Sequence, residues 1–176
     1  MNLFTLYPKI NYDINSFDQV RAIDIQASFK IRDYIKNYRG IAYQPYVVQD
    51  GERPDNVSFK LYGNSRYDWL ILLVNDMYSI YDDWPRQSQE LERHIIEKYG
   101  SISNASSTVK YYYDANKNII DLTTYNSLPA ANRSFESVLA WEQRMNDRKR
   151  IIKVVPGITI NQLQSELNNL GLVAVL

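Results

Sequence analysis

Six consecutive apolar residues, Trp69-Leu70-Ile71-Leu72-Leu73-Val74, constrain the fold of this chain more than any other feature. A helix over them is apolar on every side, so it is either immersed in lipid or covered by protein all round. The run falls far short of the roughly 20 residues that span a bilayer. The segment is therefore expected to be buried, by its own module on one side and by later segments or partners on the other. The residues before it punctuate that module. Asp50-Gly51 is a turn dipeptide closing an extended run, and Pro54 suits the first position of a helix, where its missing N–H costs nothing. Val57, Leu61 and Tyr62 share one face of that helix, and Gly63 follows as its C-terminal cap. Ser65 with Asp68 three residues later reads as a capping box that opens the apolar helix.

The other segments are read by periodicity and punctuation. Residues 1–16 are expected to be an extended arm, with Leu3, Phe4, Leu6, Tyr7, Ile10 and Tyr12 free to lie on something; such arms are ordered by what they touch. Over residues 17–38 an alternation of Ile23, Ile25, Ala27, Phe29 and Ile31 competes with a helical stripe of Val20, Ile23, Ala27, Ile31, Tyr34 and Tyr38. The favoured reading is extended structure to about Ile31, then a short helix to Tyr38 ended by Gly40. Residues 42–49 suit a strand, 78–84 an aromatic loop ending at Pro85, and 87–99 a helix with Leu91, Ile95, Ile96 and Tyr99 inward and Gly100 as its stop. A polar loop is expected over 101–107, a hairpin with arms 109–113 and 119–123 around the turn 114–118, and a further loop over 128–133. Residues 137–150 fit helix or hairpin. Residues 151–155 read as a strand turned by Pro156-Gly157, after which Thr159 with Gln162 caps a final helix carrying Ile160, Leu163, Leu167 and Leu170. Gly171 follows, and the apolar tail 172–176 suits docking on the same chain or a partner.

Composition removes several functions. Twenty basic and twenty acidic residues cancel, so no global field draws the chain to nucleic acid or an anionic membrane. The absence of cysteine excludes disulfides and thiolate metal sites, and His94, alone of its kind, supports neither a metal site nor a nucleophilic triad. Asp82 and Asp83 lie too close in sequence to face one point as a glycosidase pair, so an acidic turn explains them better; Glu90 is the remaining carboxylate an enzyme reading would enlist. Arg148-Lys149-Arg150 is a weak nucleic-acid hint and more often a solvated strand end. The N-terminus lacks the basic and long apolar regions of a secretory signal, so the protein is expected to stay where it is made. Fifteen tyrosines beside three tryptophans point to protein interfaces, where rings with an apolar body and a polar tip are favoured. No enzyme and no cofactor is expected.

The strand Tyr46-Val47-Val48, the turn Asp50-Gly51-Glu52, Val57, Leu61-Tyr62-Gly63 and a helix through Ile71 to Asn75 resemble a LysM module, the βααβ unit known for binding wall polysaccharides. That pattern expects its second strand soon after the asparagine, and here the best candidate is residues 151–155, which makes the intervening segment an insertion. A longer resemblance runs through Gly51-Glu52-Arg53-Pro54, Leu61-Tyr62-Gly63-Asn64, Asp68-Trp69, Asn75-Asp76, Tyr81, Trp84 and Lys98-Tyr99, then through residues 111–113, Glu142, Asn146, Arg150 and Ile152-Lys153. With the Leu3-Phe4 and Tyr7 start, this pattern is similar to the LysM-like baseplate wedge subunits of T-even-type contractile-tailed bacteriophages.

The expected fold is α+β: a LysM-like βααβ module with a long insertion, an extended N-terminal arm and a C-terminal helix. The expected divisions are 1–40 arm and linker, 41–84 core module, 85–150 insertion with helix and β-hairpin, and 151–176 closing strand and helix. The resemblance implies a structural virion protein of the tail baseplate, assembled in the host cytoplasm, present in several copies and joining neighbouring wedges. Its implied partners are other baseplate wedge proteins, the tail-lysozyme-like baseplate protein and hub-proximal tube proteins, with no nucleic acid and no membrane. The alternative is a LysM-type protein that binds peptidoglycan or chitin. Phe4, Tyr7, Tyr78, Tyr81 and Trp84 are the candidate contact residues, and Val57, Leu61, Tyr62, Trp69, Leu72 and Leu73 the candidate module core.

Overall fold

The computed structural model describes residues 9–14, 18–23, 26–37 and 42–169. The chain is α+β and divides into two units. Among the described residues the first unit holds those up to Val48, Glu52–Ile80 and those from Ile152 onward; the second holds Gln49–Gly51 and Tyr81–Ile151.

In the first unit β1 (Lys9–Ile14) pairs antiparallel with β2 (Asp18–Ile23), Lys9 opposite Ile23 and Ile14 opposite Asp18. The extended conformation expected for the arm is thus present at Lys9–Ile14, with a strand of the same chain as its partner. The helix that follows corrects the reading of residues 17–38: α1 (Gln26–Asn37) begins well before Ile31. Helical spacing wins because it lets Ile31 and Ile35, one turn apart, enter a core with Trp69, Leu70, Val155, Ile160, Leu163 and Leu167. Phe29, which strand alternation would have put beside Ile31, is 58% exposed. Tyr38 and Gly40 lie outside the described residues.

Strand β3 (Gln44–Val47) pairs in a two-stranded sheet with β7 (Ile151–Val154), and two helices lie between them in the first unit. Helix α2 (Pro54–Tyr62) starts on Pro54 and ends at Gly63, whose φ of 70° is open to glycine and whose N–H donates to the Phe59 carbonyl at 2.8 Å. The next cap is Asn64 and not Ser65. Asn64 is extended and its side chain accepts from the Arg66 N–H at 3.0 Å, while Ser65 is already inside the 3-10 turn Ser65–Tyr67 that runs into α3 (Asp68–Val74). Trp69, Leu70 and Ile71 are buried, whereas Leu72, Leu73 and Val74 are half-buried, so the apolar helix is covered fully only in its first half.

After β7, helix α9 (Gly157–Asn169) begins on Gly157 itself, which corrects the expected cap: Thr159 lies within the first turn. Ile160, Leu163 and Leu167 are buried as their spacing required, and Leu170, Gly171 and the tail lie outside the described residues.

The short helix α4 (Ile80–Asp83) replaces part of the expected aromatic loop. The second unit continues with α5 (Ser88–Tyr99), stopped by Gly100 at φ 83°; Ile95 is buried, while Ile96 of the expected stripe is 42% exposed. Residues 101–107 are not a loop. Ser101 accepts from the Asn104 N–H at 3.0 Å and opens α6 (Ile102–Ser107), whose Ala105 is wholly buried in a cluster with Ile95 and Val138. The helix is polar except for Ile102 and Ala105, and packing of these two overrides its composition.

Strand β4 (Val109–Asp114) is the centre of an antiparallel sheet of order β5-β4-β6, with β5 (Ile119–Ile120) and β6 (Arg133–Ser137) on its flanks. The expected second arm, 119–123, is cut short because Asp121 accepts from the Thr124 N–H at 2.8 Å and caps α7 (Leu122–Ser127). The expected loop over 128–133 holds the 3-10 turn Ala130–Asn132 and gives way to β6. Residues 137–150 form α8 (Val138–Lys149), capped by Ser137, with Val138, Glu142 and Asn146 buried at four-residue spacing.

Candidate protein interface

Among the described residues no group of three or more His, Cys, Asp or Glu side chains could hold a metal ion, and no helix is long and apolar enough to cross a membrane. The carboxylates considered for catalysis do not converge on a cleft. Asp82 is exposed and lies 3.9 Å from Arg86, Asp83 is half-buried on α4, and Glu90 stands exposed in the first turn of α5. His94 is half-buried on α5, near enough to Glu142 to favour its ionised form.

The candidate contact residues fall in different places. Phe4 and Tyr7 lie outside the described residues. Tyr78, in the first unit, is 74% exposed; the Arg32 guanidinium lies 5.7 Å from its ring centre and donates to its hydroxyl. Arg32 and Lys36 of α1 both pair with Asp76, which ties the segment bearing Tyr78 to that helix. Tyr81, in the second unit, is 86% exposed, whereas Trp84 is buried. Of the candidate core residues, Val57 and Trp69 are buried, and Leu61, Tyr62, Leu72 and Leu73 are half-buried. Burial pushes the Tyr62 hydroxyl up to about 12.

The second unit carries a constellation that sequence reasoning missed. Glu142, inside α8, accepts from Lys98 Nζ at 2.9 Å and from the Tyr99 hydroxyl at 2.8 Å. Burial raises the Glu142 pKa, but these two bonds outweigh it and hold the carboxyl below its usual range. Two residues further along α8, Arg144 binds Glu136 of β6 through two nitrogens at 2.6 and 2.9 Å, and the Tyr113 hydroxyl donates to the same carboxylate at 2.9 Å. The Arg144 bonds are the main reason that the Glu136 pKa is lowered. Trp141 has the Lys110 ammonium 4.5 Å and the Lys98 ammonium 5.9 Å from its ring. The pattern that carries the family resemblance contains Lys98-Tyr99, residues 111–113 and Glu142, but nothing in the spacing showed that they meet, or tied Lys98 or Lys110 to Trp141.

Two polar clamps frame the unit. The Asp50 carboxylate accepts from Arg150 at 2.9 Å, from the Ser88 N–H at 3.0 Å and from the Ser88 hydroxyl at 2.9 Å, and its pKa is lowered, chiefly by the Arg150 bond. Asn146 is 4% exposed, and its amide accepts from the Arg86 N–H at 2.8 Å and donates to the Arg86 carbonyl at 2.9 Å. Beside it lies a cavity of about 410 Å³ whose floor includes Leu91, Ile95, Ile102 and Leu139.

Comparison with known proteins gives two matches. The family model described as base plate wedge protein 53 matches residues 2–152. The baseplate wedge protein gp53 of Enterobacteria phage T4 is 24% identical over 187 aligned positions, which cover 94% of this chain and 93% of that protein. Neither is described as a polysaccharide-binding protein.

Proposed function

Since the chain belongs to the base plate wedge protein 53 family and is a structural component of a phage tail, we propose that it joins neighbouring wedges of the baseplate through protein–protein contacts. The observation that carries this reading is the exposure of large rings on both units, Tyr78 at 74% and Tyr81 at 86%. Rings of this kind are enriched where protein surfaces meet, because they bury much area with few rotatable bonds. Phe4 and Tyr7 extend the proposed contact set, while Trp84, being buried, serves the inside of its own unit. In this reading the β3-α2-α3-β7 portion acts as a LysM-like platform for docking protein. Its neighbours are other wedge proteins, the tail-lysozyme-like baseplate protein and hub-proximal tube proteins; several copies enter each baseplate, and assembly takes place in the host cytoplasm.

Assembly of the baseplate with and without this chain tests the proposal. Electron microscopy of the wedge proteins expressed together is expected to show closed rings when the chain is present and separate wedges when it is omitted. Rings forming equally well without it would overturn the joining role, as would antibody labelling of virions that marks no position at the tail tip.

A further inference from the structure

Two ion pairs of the second unit are exposed on one side only. Glu142 and Glu136 have 9% and 13% of their side-chain surface open, whereas their partners Lys98 and Arg144 have 47% and 37%. The anions lie underneath and the cations face water, so solvent meets net positive charge although each pair is formally neutral. Two more cations adjoin them that make no ion pair among the described residues, although Arg148 lies near enough to Glu136 to help hold its carboxyl low. Lys110, exposed on β4, sits over the half-buried Trp141 ring, and Arg148, exposed on α8, reaches back to the Met145 sulfur at 3.9 Å. Trp141, Arg144 and Arg148 recur at three- and four-residue spacing and so share one side of α8. Lys98 and Lys110 both reach Trp141, which brings the end of α5 and the start of β4 to the same side.

We infer that this side of α8, with Lys98, Lys110, Arg144 and Arg148 around Trp141, docks an acidic segment of a neighbouring baseplate protein. The inference rests on the joining role proposed above and names the chemistry of one joint. Charge complementarity selects the occupant. A face of exposed cations whose counter-ions are sunk beneath them gains most from carboxylates brought by a partner. The Trp141 ring and the adjacent Tyr111, 5.7 Å from the Lys110 ammonium, add an apolar body between the charges that a polypeptide can cover. A polyanion such as nucleic acid fits less well, because the whole chain is neutral and provides no long-range field to gather one.

The test uses the full-length chain and the other wedge proteins of the same virion, purified and titrated one at a time at low and high salt. The wild type is expected to bind at least one of them, more weakly as salt rises, and Lys110→Glu with Arg148→Glu to weaken that binding by roughly tenfold or more. Arg53→Glu with Arg93→Glu, the same charge change placed elsewhere, is expected to leave it within about twofold. Should the double reversal fail to fold, Lys110→Gln with Arg148→Gln decides, with a smaller loss in the same direction. If the wild type binds no wedge protein, the joining role fails and this inference with it. Binding that the α8 variants leave unchanged sinks the inference alone. A labelled oligothymidylate that binds the wild type, and is lost in the α8 variants while no wedge protein binds, would reassign the face to nucleic acid.

Discussion

Replacing Asn146 tests the structure of the second unit at a buried polar clamp. The Asn146 amide, 4% exposed, satisfies both the N–H and the carbonyl of Arg86, at 2.8 and 2.9 Å. Asn146→Ala leaves both backbone groups unpaired, at about 1–3 kcal/mol each when no substitute is found. The cavity of about 410 Å³ that Asn146 lines gives water a way in. Water brings the expected loss to the lower half of that range, about 2–4 kcal/mol in all. Asn146→Asp is the sharper perturbation because size and shape are kept. The introduced carboxylate still accepts from the Arg86 N–H, but when ionised it cannot donate, and it meets the Arg86 carbonyl with two negative atoms face to face. Burial and that repulsion raise its folded pKa above its unfolded value of about 3.9. The sign follows from linkage: the penalty is absent below the unfolded pKa, where the carboxyl is protonated and donates, and grows as pH rises above it. Urea unfolding followed by tryptophan fluorescence should show Asn146→Asp within about 1 kcal/mol of wild type at pH 4 and about 2–3 kcal/mol less stable at pH 7. Hydrogen exchange at the Arg86 amide should accelerate in parallel. A variant equally stable at both pH values, with the Arg86 amide still protected, would refute the reasoning.

Three other outcomes follow from the same structure. The carboxyls of Glu142, Glu136 and Asp50 are all held low in the fold, so their contribution is complete above the unfolded carboxylate range and is lost as pH falls through the folded values; thermal melting should be level above about pH 5 and drop below about pH 4, with a shallower acid slope in Glu142→Gln. Gly63→Ala, at φ 70°, should cost about 1 kcal/mol by calorimetry, whereas Gly157→Ala, where a Cβ meets the Leu61 carbonyl at an ordinary 3.4 Å and φ is not positive, should be neutral or stabilising. Leu163→Ala, 2% exposed in the first unit's core, should cost about 2–5 kcal/mol in the same measurement, and equal stability would mean that α9 does not pack as described.

Legibility of the sequence tracked how strongly a residue type limits the backbone. Pro54, Gly63 and Gly100 mark helix ends in the sequence and occupy them in the structure, because proline and glycine constrain dihedral angles without help from neighbours. Ile160, Leu163 and Leu167 were legible through the regular spacing of an apolar face. Periodicity failed where the buried side of a helix is polar. On α8 two of the three buried residues are Glu142 and Asn146, each satisfied by partners more than forty residues away, so the helix gave no apolar stripe. Helix α6 failed for the opposite reason, since one alanine and one isoleucine sufficed to hold six residues. For the candidate interface, Tyr78 and Tyr81 are exposed and Trp84 is buried, a difference that belongs to the fold and that no local pattern in the sequence marks.

The long-range asparagines explain how a strand can arrive so late. In the first unit the Asn75 amide donates to the Lys153 carbonyl at 2.7 Å, while its oxygen accepts from the Lys153 N–H at 2.8 Å. That is the hydrogen-bond pattern of a strand neighbour, supplied by a side chain at the end of α3. Its second donor reaches the Ile71 carbonyl at 2.8 Å and closes the last turn of the helix. The site where β7 joins the first unit is therefore specified by Asn75 whatever the length of chain between them, since loop closure adds only about 0.6 kcal/mol for each doubling. Asn146 repeats the device on Arg86 inside the second unit, and Asp50 with Arg150 ties together its two ends. Each unit is thus closed by its own polar clamps, and the residues between Asn75 and Lys153 are free to carry a second fold and its charged face. Asn75→Ala should accordingly loosen β7 first: protection of the Lys153 amide is expected to fall while that of the Arg86 amide holds, and equal loss at both would show that the units do not close independently.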